Sequence, residues 1–285
     1  AFNVAYTAGA CLRVGTQPRF VDVDPKTLLM DPNQIESSIT EKTAAIIPVH
    51  LYGQVCNMPQ ILEIAQKYNL KVIEDCAQAH GAKWDGRLSG TFGHAGAFSF
   101  YPTKNLGCLG NGGCIVTGFD FIAMQNRIMR DSGRISRYLH SSTGLTSELD
   151  DIQAGVLQIK LKYLDESNDK RRQLAQRYFI ELKNIEFVVP SPEVHHVYHL
   201  FVVRHSKRDD LLTYLNSEGI PSLLHYPIPV HLQPCFQNLG YKMGDFPIAE
   251  RASKEILSLP LYPEMTKLEQ DYVILAVNKW TQFHG

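Results

Sequence analysis

Apolar positions along the chain follow two rhythms, one of helical spacing and one of strands, and their order predicts the architecture. "AFNVAYTAGACLRVG", residues 1–15, is apolar and helix-like from its first residue, so the chain is expected to begin inside a domain, its N-terminal segment missing. "PRFVDVDP" alternates and ends in Asp and Pro, the pattern of a short strand closed by a turn, and "DPNQIESSIT" suits a short helix. "TAAIIPVHLYG" is the continuous apolar run that a buried parallel strand needs. "MPQILEIAQKYN" has helical spacing, and "LKVIEDCAQ" is a second buried strand ending in acids, which completes a β-α-β unit. Strands at 95–101 and 113–116 and a helix through "FDFIAMQNRIMR" continue the alternation. The expectation is an α/β domain with a mainly parallel sheet and a ligand site at the carboxyl ends of its strands, where Asp75 falls.

From Asp150 to about Leu182 the pattern is helical and highly charged, as in a connecting helix pair. Beyond it, strand-like "IEFVVP" and "VYHLFVVRH", the helix "RDDLLTYLNSEG", a proline-rich loop "LLHYPIPVHLQP" and two amphipathic helices predict a smaller α+β domain. The expected division is residues 1–165 for the large domain and 166–285 for the connecting helix and the small C-terminal domain.

The 285 residues, 44% hydrophobic and 20% charged, suffice for a large core. A net charge of -1 and the absence of a long basic run argue against nucleic acid as a partner. No apolar stretch approaches the length of a membrane span, and the N-terminus lacks the regions of a signal peptide, so the cytoplasm is expected. Six cysteines without a C-x-x-C pair suit reduced, buried thiols. In "HHVYH", residues 195–199, strand alternation divides the side chains between two faces and no Cys or acid joins them, so no metal is expected.

The chemistry concentrates in "FSFYPTKNLGCLGNGGCIV", residues 98–116. Lys104 follows an aromatic run that predicts a buried strand and precedes glycines where backbone can approach a ligand. Those are the surroundings of a Schiff-base lysine. A pyridoxal phosphate site also needs a carboxylate for the pyridine nitrogen and donors for the ring hydroxyl and phosphate. Asp75, Gln78 and Ser99 are the candidates.

"VIEDCAQAHGA", "FSFYPTKNLG", "PVHLYG", "LDDIQAGVLQIKL" and "HYPIPVHLQP" together resemble the sugar aminotransferases of the DegT/DnrJ/EryC1/StrS family over nearly the whole chain. The resemblance implies the aspartate aminotransferase-like fold (fold type I) with pyridoxal 5'-phosphate as cofactor. It implies that Lys104 binds that cofactor covalently and is the catalytic residue, that Asp75 faces the pyridine nitrogen, that Gln78 contacts the ring hydroxyl and that Ser99 binds the phosphate. Relatives that remove a sugar hydroxyl carry histidine at the lysine position, so Lys104 favours transamination. The implied substrates are glutamate and a nucleotide-linked keto sugar, with amination at C3 favoured over C4, and Tyr101, His225 and Tyr226 lining the acceptor pocket. A homodimer with a shared active site is implied, in which Thr146 reaches the neighbour's phosphate.

The sequence departs from the family pattern in places. It starts after the Gly-Thr segment that binds phosphate, and Val4 stands where an aromatic is expected over the cofactor ring. Thr146 replaces an asparagine, Glu148 an arginine, and "GNGG" the more frequent Gly-Asp-Gly-Gly. The competing expectations are a truncated non-catalytic relative, which the missing opening segment would suit, and a dehydratase or isomerase using the same cofactor.

Overall fold

The computed structural model describes residues 1–284. Helix α1 (Tyr6–Arg13) leads through an irregular stretch to α2 (Ile35–Ser38), strand β1 (Ala45–Ile46), α3 (Met58–Lys67) and β2 (Lys71–Asp75). Helix α3 forms because Met58, Ile61, Ile64 and Ala65 share one buried face, and Asn57 caps its start by accepting from the Gln60 amide. A hairpin of β3 (Lys83–Trp84) and β4 (Arg87–Leu88) follows, then β5 (Ala95–Ser99), β6 (Gly113–Val116), α4 (Asp120–Arg130) and a second hairpin, β7 (Arg134–Ser136) and β8 (Leu139–His140). Helices α5 (Asp151–Leu161) and α6 (Leu164–Glu181) are the expected connecting pair.

The central sheet runs β1-β2-β5-β6, with β1, β2 and β5 parallel and β6 antiparallel at the edge. Register sets Asp75 beside Ala97 and Ser99 beside Gly113, so the carboxyl ends of β2 and β5 open on the same side. The C-terminal part contains β9 (Glu186–Phe187), β10 (Val194–His195), β11 (Phe201–Arg204), α7 (Arg208–Ser217), α8 (Pro247–Glu255), β12 (Ile256–Leu259) and α9 (Lys267–His284). Strands β12, β11 and β9 form an antiparallel sheet, while β10 joins the β3-β4 hairpin.

Two cores result. One, around Tyr178, Phe201, Leu211, Leu257 and Trp280, draws only on residues after 166. The other, around Tyr52, Met58, Ile61 and Val72, also takes in Val188, Val197, Val202 and Phe246 from the C-terminal part.

Several local expectations change. "PRFVDVDP" makes one bridge, Val23 to Met30, and no ladder. "TAAIIPVHLYG" pairs only at Ala45–Ile46 before Pro48, which has no amide to donate, and touches β2 again through Val49 and Asp75. Its end then turns, with Tyr52 at φ 64° and Gly53 at φ 101°. Cys56, Cys76 and Cys108 are buried thiols as expected, but Cys114 and Cys235 are exposed. Among the described residues, no helix is long and apolar enough to cross a membrane.

Candidate active site

Lys104 sits on a turn closed by backbone. Its amide donates to the Tyr101 carbonyl at 2.9 Å, the Cys108 amide to Phe100 at 2.9 Å and the Phe100 amide to Gly112 at 2.7 Å. Gly107 is obligatory there, since a Cβ would lie 2.6 Å from the Pro102 carbonyl oxygen. Lys160, from α5, clips the same turn by donating from Nζ to the Gly107 carbonyl at 2.6 Å. Burial lowers the pKa of the Lys104 amine, and the nearby charge of Asp75 opposes that only in part. A lysine whose ammonium form is penalised is one prepared to act as nucleophile and base.

Asp75 ends β2 with both oxygens engaged: Oδ2 accepts from the Thr7 hydroxyl at 2.5 Å and Oδ1 from the Ala77 amide at 3.0 Å. Gln78 is fixed in one orientation. Its Oε1 accepts from the Tyr52 amide at 2.6 Å and its Nε2 donates to the Tyr226 hydroxyl at 3.0 Å, which leaves one N–H free. Ser99 Oγ accepts from the Tyr101 amide at 3.3 Å, so its own proton is available to a ligand. The His225 carbonyl accepts from the Tyr52 hydroxyl, and its ring Nδ1 lies 2.9 Å from Ser258 Oγ. Tyr101 is 52% exposed on the lysine turn.

Three histidines surround the lysine. Burial, then the Lys104 charge, brings His80 down to about 4, outweighing its contact with the Ser99 backbone. The same two causes depress His225, and His199 falls well below the ordinary histidine value. All three rings are therefore pushed toward the neutral form.

Hydrogen bonds and Lys104's field thus connect Lys104, Asp75, Gln78, His225 and Tyr226, with Ser99 and Tyr101 on the strand and turn that present the lysine. Thr146 stands apart: it bridges Asp131 through its backbone, and its hydroxyl lies 3.3 Å from that of Ser132, beside the β7-β8 hairpin. Of "HHVYH", His195 meets Arg172, His196 stacks on Tyr198 at 3.9 Å and His199 turns to Asn105 at 3.2 Å, so the three rings serve three different partners. Thr7, Tyr52, Asn105 and His80 were not singled out from sequence. His80 lies within the motif "VIEDCAQAHGA", Tyr52 within "PVHLYG" and Asn105 beside the lysine, but Thr7 carries no signal, because its partner Asp75 is set by the fold.

A parallel sheet that delivers a carboxylate to a desolvated lysine, with a fixed amide and a free hydroxyl nearby, defines a pyridoxal phosphate enzyme of fold type I. The donor set suits the cofactor: an amine for its aldehyde, a carboxylate for its ring nitrogen, and N–H and O–H donors for its oxygens.

The chain belongs to the DegT/DnrJ/EryC1/StrS aminotransferase family, whose profile matches residues 1–278. It is 46% identical over 279 residues to a protein of Geobacillus stearothermophilus named "Pleiotropic regulatory protein", covering 96% of this chain and 75% of that protein. It is 45% identical over 268 residues to the dTDP-3-amino-3,6-dideoxy-alpha-D-galactopyranose transaminase of Aneurinibacillus thermoaerophilus, covering 93% of this chain and 73% of that protein. The crystal structure of S. venezuelae DesV in complex with a ketimine intermediate superposes with a TM-score of 0.96 at 39% identity, over 99% of this chain and 76% of that one.

Proposed function

We propose that this protein transfers an amino group, with glutamate as donor, to the C3 keto group of a nucleotide-linked deoxysugar. The observation that carries the reading is the desolvated Lys104 amine facing Asp75 within the family's fold. The family's transaminase relatives, several of which are named for 3-amino sugars, support C3. With Lys104 in place, they tell against the dehydratase and isomerase alternative.

Bound pyridoxal phosphate supplies an aldehyde to carry the amino group and a ring that accepts electrons from the carbon losing its proton. Lys104 would hold it covalently, and the lysine amine, when free, would take and return the proton at the substrate carbon. Asp75, steadied by Thr7 and the Ala77 amide, presents its carboxylate to the ring nitrogen. Gln78 offers its spare N–H to the ring hydroxyl, and Ser99 offers its proton to the phosphate. Tyr101, His225 and Tyr226 face the acceptor sugar. Thr146, on an exposed arm, serves the phosphate of a second copy, in a homodimer with shared sites. The division into residues 1–165 and 166–285 and a cytoplasmic place for an enzyme with six free thiols belong to the same reading.

The test is the visible spectrum of the purified chain with pyridoxal phosphate, before and after glutamate, with Lys104→Ala as control. A visible band that is absent in Lys104→Ala and bleaches with glutamate is expected, followed by amination of a dTDP-linked 3-keto sugar read by mass spectrometry. A chain that shows no band, or one that survives in Lys104→Ala, would sink the assignment.

A further inference from the structure

The residue after Lys104 is more firmly held than the lysine itself. Asn105 Nδ2 donates to Asn168 Oδ1 at 2.8 Å and to the Val197 carbonyl at 2.9 Å, while its Oδ1 lies 3.2 Å from His199 Nδ1. Both amide hydrogens are spent, so Oδ1 is the acceptor and His199 carries its proton on Nδ1. Asn168 extends the clasp by donating from Nδ2 to the His80 carbonyl at 2.9 Å. Four pieces of chain meet in it: the Lys104 turn, the turn after β2 that holds Gln78, helix α6, and the segment that leads into β11.

The clasp is built into the fold. Asn168 is 2% exposed and His199 9%. Each end is accommodated by a glycine with positive φ: a Cβ on Gly81 would lie 2.9 Å from Asn168 Nδ2, and one on Gly53 would lie 2.9 Å from the His199 amide nitrogen. A buried amide pair contributes little net stability over apolar groups of the same shape. What it adds is direction, since each bond holds at one distance and angle.

We propose that Asn105 is a positioning residue for Lys104, fixing the turn from which the lysine stem rises so that the released amine returns to one place. The proposal rests on the reading of Lys104 as the cofactor lysine. Asn105 touches neither substrate nor cofactor in this role. It acts through the backbone it shares with Lys104, while burial and the Asp75 charge set the field that the lysine feels.

The experiment compares wild type, Asn105→Ala, His199→Leu and His199→Asn. Reactivity of Lys104 toward acetic anhydride is followed across pH in the cofactor-free full chain by peptide mass spectrometry, beside the pH midpoint of the visible band after loading and the separate kcat and KM. In Asn105→Ala and His199→Leu, the labelling midpoint is expected to move toward that of ordinary lysines. The band midpoint should shift with it, and kcat fall by roughly 10–100-fold while KM for the acceptor hardly moves. In His199→Asn an amide N–H stands in for ring Nδ1–H, and wild-type behaviour should return. If Asn105→Ala does not fold, Asn168→Ala, which removes the clasp's bonds to Asn105 and to the His80 carbonyl and leaves the other two on Asn105, carries the same comparison. Variants that melt earlier but keep the labelling midpoint, band and kcat of wild type would overturn the proposal. Labelling needs no cofactor, so a wild type without a visible band defeats the functional reading while leaving this comparison intact.

Discussion

Glu74 and Asp75 are neighbouring acids with opposite duties. Glu74 is fully buried, its Oε1 accepting from the Phe92 and Gly93 amides at 2.7 Å each and its Oε2 from Gly90 at 2.7 Å and His50 Nε2 at 2.9 Å. Burial opposes its ionisation, but hydrogen bonds from His50 and the glycine amides prevail and hold it below the usual carboxylate range. His50, Glu74 and Cys76 offer donor atoms within 4.8 Å of one another, the spacing of a metal site. The His50 ring, however, spends Nε2 on Glu74 and accepts the Cys56 amide at Nδ1, 3.1 Å away. These groups form a strap that fixes the loop at 89–93 against β2. Glu74→Gln sets an NH2 against backbone N–H groups and should cost about 1–3 kcal/mol in urea unfolding. Asp75, one residue on, keeps its carboxylate for the lysine's side of the sheet, the acid that the strand end in "VIEDCAQ" singles out, whereas nothing in that pattern announces Glu74's strap.

At the scale of elements, legibility followed locality. Strand β6 and helix α4 fall where their own rhythms predict, because each is decided by residues within a turn or two. The β3-β4 hairpin carries an Asp-Gly pair, with Asp85 at φ 45° and Gly86 at φ 79°, and was readable from that pair although the opening pattern passed over it. The turn at Tyr52 and Gly53 was not, since the run before it is uniformly apolar and its geometry answers to residues 197–199. There the Val197 amide donates to the Gly53 carbonyl at 2.9 Å. The candidate site residues are legible as types near one lysine. The clasp was not, because Asn105 meets partners 63 to 94 residues away. Gly53→Ala drives a Cβ to 3.0 Å or less from Val197 Cγ2 and the His199 amide nitrogen. It is expected to cost about 1–3 kcal/mol by denaturant unfolding and, through His199, to lower kcat as Asn105→Ala does.

Across the whole molecule, buried neutral histidines set the acid limit. His80 is brought down to about 4 and His196 to about 3, each first by burial. The unfolded chain takes up these protons as pH falls through about 6.5, whereas the fold refuses them until well below that. Stability contributed by the neutral rings is therefore present above pH 6.5 and lost as pH falls toward the folded values. Urea unfolding at pH 7, 6 and 5 should show it declining, and His196→Asn, which keeps an acceptor for the Tyr198 amide, should reduce the linked uptake by about one proton. The loop at 223–226 shows a different economy. Leu223 and Ser258 exchange backbone hydrogen bonds at 3.2 and 2.8 Å, and Tyr52 holds the loop by the carbonyl of His225. Position 225 can thus change its side chain and keep its course, losing the ring's contacts with Ser258 and with the Tyr226 ring. Tyr226 has no such freedom, because its hydroxyl partners Gln78. On the proposed function, retargeting to another keto sugar, in a laboratory library or over divergence, has an open door at 225 and a closed one beside it.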